Sequence, residues 1–212
     1  MVKQLFDADG PVMTALNYIA NLIVLSVLWL LCCIPVVTIG VSTSALYYVT
    51  LKMVRGEASG VAKLFFKALK ENLKNGILFS LIFGVAGGVL YLDYTVMLQQ
   101  AGALGMVLRV VFMALGFCCL VTMLYTFPLQ AQFVNTVGGT LTNAFTFAIR
   151  NIRTTLSVLV VHAAPFLVVF LKLETLLKIL PLLVLLLPAL IAYICSFFFM
   201  KVFKPLMENA AQ

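Results

Sequence analysis

The chain has 212 residues, of which 64% are hydrophobic and only 10% charged, with a formal net charge of +7. A soluble domain needs roughly a quarter of its residues charged to cover its surface, so this composition excludes a water-soluble globule and makes lipid the main solvent. Only helices and closed barrels satisfy the backbone inside a bilayer. The apolar runs are long and do not alternate, which selects an all-α, polytopic helical membrane protein, read as a single integral membrane domain over 1–212.

A helical span takes about 20 apolar residues, and six candidates follow in chain order. The first, about 14–34, ends at Pro35. Asp7 and Asp9 lie in its amino-terminal flank and no small-x-small site follows it, so it reads as an uncleaved span rather than a signal peptide. The second, about 38–54, opens after Thr38-Ile39-Gly40 and is half polar, with Ser42, Thr43, Ser44, Tyr47, Tyr48 and Thr50. The others are about 76–98, 104–127, 154–171 and 179–200. Cys32, Cys33, Cys118, Cys119 and Cys195 all fall inside apolar runs without metal-ligand spacing and read as small apolar filler.

Basic residues orient the bundle, because they accumulate in cytoplasmic segments. With the amino terminus inside, the inner segments hold Lys3, Lys52, Arg55, Lys63, Lys67, Lys70, Lys74, Arg150, Arg153, Lys201 and Lys204. Only Arg109, Lys172 and Lys178 then lie outside or near the outer face. Both termini are therefore expected in the cytoplasm, and the positive charge addresses an anionic membrane surface rather than nucleic acid.

Two inner connections are long. In 58–74, Val61, Leu64, Phe65, Ala68, Leu69 and Leu73 fall on one helical face, and Lys63, Lys67, Lys70 and Lys74 on the other, the pattern of an interfacial amphipathic helix. Residues 140–153 repeat it, with Leu141, Phe145, Ala148 and Ile152 against Thr142, Thr146, Arg150 and Arg153. FFKALKENLKNGIL aligns loosely with NAFTFAIRNIRTTL, and Gly60 with Gly139, so the chain reads as a weak parallel repeat of span, surface helix and returning span. The polar stretch FPLQAQFVNTVGGTLTNAF (127–145) then becomes an inner elbow, whose amides and threonines satisfy backbone freed around Pro128 and Gly138-Gly139.

The run LWLLCCIPVVTIGVSTSALYYVTLKMVRGE (28–57) resembles the amino-terminal signature of the YesL-like family of bacterial integral membrane proteins. The shared features are the Pro35-Val36-Val37-Thr38-Ile39-Gly40 turn and the Tyr47-Tyr48 helix ending in basic residues. A second signature is similar at Thr126-Phe127-Pro128-Leu129, Phe133-Val134-Asn135-Thr136 and Asn143-Ala144-Phe145. The chain departs from it at Gln132, where an arginine is expected. The resemblance runs from Phe6 to Lys204. It implies no biochemical activity, since the family has none established, but its genes commonly neighbour those for oligosaccharide import and breakdown. A role beside carbohydrate uptake is what it implies, with a sugar ABC transporter or another membrane protein as partner.

Several residues stand out for their chemistry. His162 lies midway along the fifth span and reads either as a helix-packing partner or as a proton relay. Asp93, late in the third span, and Arg109, early in the fourth, are expected to pair near the outer face. Gly84, Gly87 and Gly88 would permit close helix approach. Tyr47, Tyr48, Tyr91, Tyr94, Trp29 and Tyr193 read as interface aromatics. No phosphate loop, triad, carboxylate pair or HExxH occurs, so neither an enzyme nor a cofactor is expected. Three functions stay open: an accessory subunit for carbohydrate uptake, a small permease between the two repeats, and a lipid-binding or assembly factor. For the first, Gln130, Gln132, Asn135, Asn143, Arg150 and Arg153 form the candidate partner surface.

Overall fold

The computed structural model describes residues 11–98, 102–171 and 173–210. Eight α-helices follow one another: α1 Pro11–Cys32, α2 Ile39–Val54, α3 Val61–Glu71, α4 Leu73–Leu98, α5 Ala103–Gln132, α6 Val137–Arg150, α7 Ile152–Leu171 and α8 Leu173–Ala210. A short 3-10 turn, Val36–Thr38, joins α1 to α2. Among the described residues, five segments are long and apolar enough to cross a membrane, and α6 with α7, bent by 98°, raises the number to six if taken as one span. The protein is a multi-pass helical membrane protein.

The least apolar of the spans occupies the centre. α2 is buried along most of its length and packs against α3, α4, α5 and α8. Lipid tails are as apolar as leucine, so helix association in a membrane draws on close packing and interhelical hydrogen bonds instead of water exclusion. The polar half of α2 supplies the bonds. Trp29 Nε1 of α1 donates to Thr43 Oγ1 at 3.2 Å, and Thr50 Oγ1 meets Ser196 Oγ of α8 at 2.8 Å. Ser44 Oγ donates to Gln130 Oε1 of α5 at 2.8 Å. The Gly40 amide donates to Ser80 Oγ of α4 at 2.8 Å.

Close packing comes from two glycines. A Cβ on Gly40 would stand 2.6 Å from the Gly76 carbonyl oxygen, and a Cβ on Gly76 would stand 2.7 Å from Val41 Cα. Both distances lie inside van der Waals contact with backbone, which cannot give way. The Pro35-x-x-Thr38-x-Gly40 turn delivers this crossing: Thr38 Oγ1 bonds the Cys32 carbonyl at 2.6 Å and the Pro35 carbonyl at 2.7 Å, tying the end of α1 to the start of α2. The glycines expected to serve this purpose do not. A Cβ on Gly84, Gly87 or Gly88 would meet nothing within 4 Å.

An aromatic column completes the core. Tyr47 and Tyr125 pack edge-on against Phe199, at centroid distances of 5.8 and 5.1 Å. Phe199 stacks on Phe203, and Phe133 closes edge-on against it. Tyr47 is thus a core residue rather than an interface aromatic, whereas Tyr91 is 67% exposed as an interface residue would be.

The two surface helices form the expected repeat, and their ends agree closely. Asn72 closes α3 with both its amide N–H and its Nδ2 on the Ala68 carbonyl. Asn151 closes α6 in the same way on the Phe147 carbonyl. Each asparagine substitutes for the missing next turn, and a span starts one residue later. In α3, Val61, Phe65 and Ala68 are buried and the lysines exposed, as the sequence pattern requires, but Leu73 belongs to α4 and is exposed. In α6 the buried residues are Thr140, Ala144 and Ala148, a protein-facing set that, apart from Ala148, lies off the apolar stripe of the sequence pattern. Phe145 and Ile152 point outward beside Ile149, because small side chains let α6 approach α5 while large apolar ones face the bilayer.

The glycine crossing yields a stability test in detergent. Gly76→Ala is expected to cost about 1–3 kcal/mol by overpacking and to lower the thermal midpoint clearly. Gly84→Ala and Gly88→Ala are expected to leave the midpoint unchanged or raise it, since alanine is the better helix former.

Candidate functional site

The polar stretch at the elbow lines a polar cavity that holds several of the predicted site residues. α5 does not stop at Pro128: the proline lies inside the helix, which runs to Gln132, so the break falls at 133–136. Phe133 is extended, and Thr136 caps α6 by accepting the Gly139 amide at 3.2 Å. A Cβ on Gly139 would sit 3.0 Å from that hydroxyl, which is why a small residue follows the cap. Gln130 and Gln132 therefore sit on the last turn of a helix, at its buried end, instead of on a loop.

Both glutamines are committed inside the protein. Gln130 is 7% exposed; its Oε1 accepts from Ser44, and its Nε2 donates to the Asn72 carbonyl at 3.4 Å. It thereby links α2 to the α3–α4 junction, and so one half of the repeat to the other. Gln132 Oε1 accepts from Arg55 Nη1 at 3.0 Å, and its Nε2 lies 3.1 Å from Met207 Sδ. Arg55 also holds Glu57 at 3.1 Å. This cluster gathers the carboxyl-terminal ends of α2, α5 and α8, whose residual negative dipoles a guanidinium stabilises. The arginine missing from position 132 is thus matched by Arg55 reaching in from α2.

Between these groups lies a cavity of about 450 Å³. Tyr48, Glu71, Asn72 and Asn75 line it from the first half, and Gln130, Gln132, Asn135 and Thr140 from the second. The side-chain amides of Asn75 and Asn135 make no hydrogen bond among the described residues. Above the cavity the bundle closes. Phe127 presses on Gly40 and packs on Phe83 at a centroid distance of 6.1 Å, and Tyr125 and Thr126 are fully buried.

The remaining predicted residues are dispersed. Asn143, Arg150 and Arg153 are exposed on α6 and the start of α7, outside the cavity. Arg109 does not pair with Asp93: among the described residues the ion pairs are Arg55–Glu57 and Lys67–Glu71. Arg109 Nε instead donates to the Met97 carbonyl at 3.1 Å, one of the last carbonyls of α4, which lack a helical partner. A cation at a helix carboxyl terminus meets both the orphan oxygen and the dipole.

His162 Nδ1 lies 2.9 Å from the Val158 carbonyl, and Cys195 Sγ is 3.8 Å away. A carbonyl only accepts, so Nδ1 carries the proton in that bond. The ring borders a cleft of about 310 Å³ with Trp29, Tyr47, Pro165 and Pro188, whose lining is apolar apart from Thr43. That is a packing environment more than a relay.

Residues 22–94, from α1 into α4, match the family described as "Protein of unknown function, DUF624", to which YesL-like proteins belong. The match covers the Pro35–Gly40 turn, the Gly40–Gly76 crossing and the first half of the cavity; the second signature lies beyond it. No curated protein and no solved structure matches the chain.

The roles of the amides separate by substitution. Gln130→Ala strands Ser44 in the core and is expected to cost about 1–3 kcal/mol, read as a lower thermal midpoint in detergent. Asn135→Ala and Asn143→Ala are expected to stay within about 0.5 kcal/mol of the parent, as surface changes do.

Proposed function

We propose that the protein is an accessory or regulatory component of a bacterial cytoplasmic membrane, acting beside an oligosaccharide uptake system, with both termini in the cytoplasm. The orientation is supported by charge. The start of α1 lies near the end of α2, and the end of α8 meets Arg55 and Gln132. That end of the bundle also carries α3, α6 and the starts of α4 and α7, with exposed Lys63, Lys67, Lys70, Lys74, Arg150 and Arg153, the distribution that cytoplasmic segments have.

The observation that carries the accessory reading is the closure above the elbow cavity. A permease needs a polar pathway leading on from such a site towards its midplane substrate contacts, whereas next to this cavity the bundle is packed with Phe127, Tyr125, Phe199 and the glycine crossing. What faces the cytoplasm is the polar side of α6, with Asn143 and Arg150 exposed. The link to oligosaccharide uptake rests on the resemblance alone. The permease reading keeps one point in its favour, since the cavity lies between the second and fourth spans.

Two experiments bear on this. Cysteines placed near Ala58 and near Gly138 are expected to react with membrane-impermeant reagents only from the cytoplasmic side; external labelling at either overturns the orientation. A photo-crosslinker at Asn143 is expected to capture a membrane component of sugar uptake in native cells, with recovery lost in Arg150→Ala/Arg153→Ala while the protein stays folded. Capture of lipid alone, together with saturable sugar uptake by proteoliposomes, contradicts the accessory role and supports the permease.

A further inference from the structure

We propose that the elbow cavity is a binding site for an uncharged, hydroxyl-rich small molecule. The inference rests on the lining and does not depend on the docking of any partner to α6. Its volume of about 450 Å³ lies within the range of small-molecule sites, roughly 300–1,000 Å³.

The chemistry of the lining selects the ligand class. Gln130 and Gln132 are consumed by Ser44, Asn72, Arg55 and Met207, and Asn72 Nδ2 by Ala68. The polar groups left for a ligand are the whole amides of Asn75 and Asn135, Asn72 Oδ1, the Tyr48 hydroxyl and the Glu71 carboxylate. An amide offers two donors and an acceptor, and a hydroxyl donates and accepts, so each matches the other in either sense. A carboxylate strengthens a bond from a hydroxyl, being a charged acceptor.

No basic side chain lines the cavity, which rejects phosphates and carboxylates. Lys52 lies nearby, but its ammonium is placed over the Tyr48 ring at 5.0 Å. The single acid is half-exposed and 3.9 Å from Lys67, too few ligands for a divalent cation. The Phe133 ring adds an apolar wall for the C–H face of a ring-shaped polyol. The site draws on both halves of the repeat, Asn72 and Asn75 from the first and Asn135 from the second. An occupant would bridge the α3–α4 junction to the elbow that positions α6, the arrangement of a sensor.

Free polyols or sugars and the neutral sugar headgroup of a glycolipid share this chemistry. The test uses full-length protein in a sugar-free zwitterionic detergent, scanned by thermal shift and then calorimetry. The probes are glycerol, inositol, neutral mono- and disaccharides, and the phosphorylated and amino counterparts of each sugar. A second arm uses nanodiscs with or without a neutral diglucosyl lipid.

At least one neutral compound is expected to raise the thermal midpoint and bind at least tenfold tighter than its phosphorylated counterpart. Asn75→Ala/Asn135→Ala is expected to weaken binding at least tenfold while keeping the ligand-free midpoint of the parent. Stabilisation only by the glycolipid assigns the occupant to a headgroup, and stabilisation by a soluble compound assigns it to a free polyol. Absence of any neutral ligand in both arms, preference for the phosphorylated probes, or binding unchanged in the double variant overturns the proposal.

Discussion

The Gly40–Gly76 contact is the constraint from which the rest of the structure follows. Two backbones meet with no room for a Cβ on either side. That brings α2 against α4 closely enough for the Gly40 amide to reach Ser80. Once α2 is held in the middle, its hydroxyls have no lipid or water to face. Each of Thr43, Ser44 and Thr50 bonds a different helix. In a membrane the apolar surface gives little preference for one partner over another, so such contacts decide the arrangement.

The same constraint shapes the elbow end. With α2 central, Ser44 aligns with Gln130, and Gln130 in turn reaches the carbonyl of Asn72. Asn72 is the residue that ends the first surface helix, so one chain of bonds runs from the core to both halves of the repeat. The cavity is what remains between those halves once the glutamines are satisfied. Arg55 completes the frame by drawing three helix ends together.

Much of this was legible in the sequence, and the failures share a physical cause. The spans, the repeat and α3 could be read because charge against hydrocarbon is an unambiguous contrast. The apolar stripe of α6 could be read as leaving the protein, as Phe145 and Ile152 do; its protein-facing side could not, because small Thr140 and Ala144 carry no hydrophobic signal and only their size fits them against α5. Gly84 and Gly88 have the packing spacing, yet Gly40 and Gly76, far apart in sequence, make the contact; spacing within one helix does not say which helix lies opposite. Asp93 and Arg109 were matched by charge, but the open carbonyls ending α4 were the nearer acceptors. The polar stretch 127–145 looked like one surface. Its first third belongs to the buried last turns of α5, since a proline inside a packed helix bends no further than its neighbours allow, and beyond it Val134, Asn135, Thr142 and Asn143 are exposed while Thr140 and Ala144 turn inward.

Uncharged polar side chains on α2 hold the bundle together across the two halves. A double-mutant cycle on Ser44→Ala and Gln130→Ala, measured by reversible unfolding in bicelles, tests it most directly. Interhelical hydrogen bonds in membranes couple by about 0.6 kcal/mol on average and at most about 1.7. For a buried pair at 2.8 Å, a coupling of about 1 kcal/mol or more is predicted, with the double variant losing less stability than the sum of the two single ones. Strict additivity would contradict the account and mean that the two side chains do not meet.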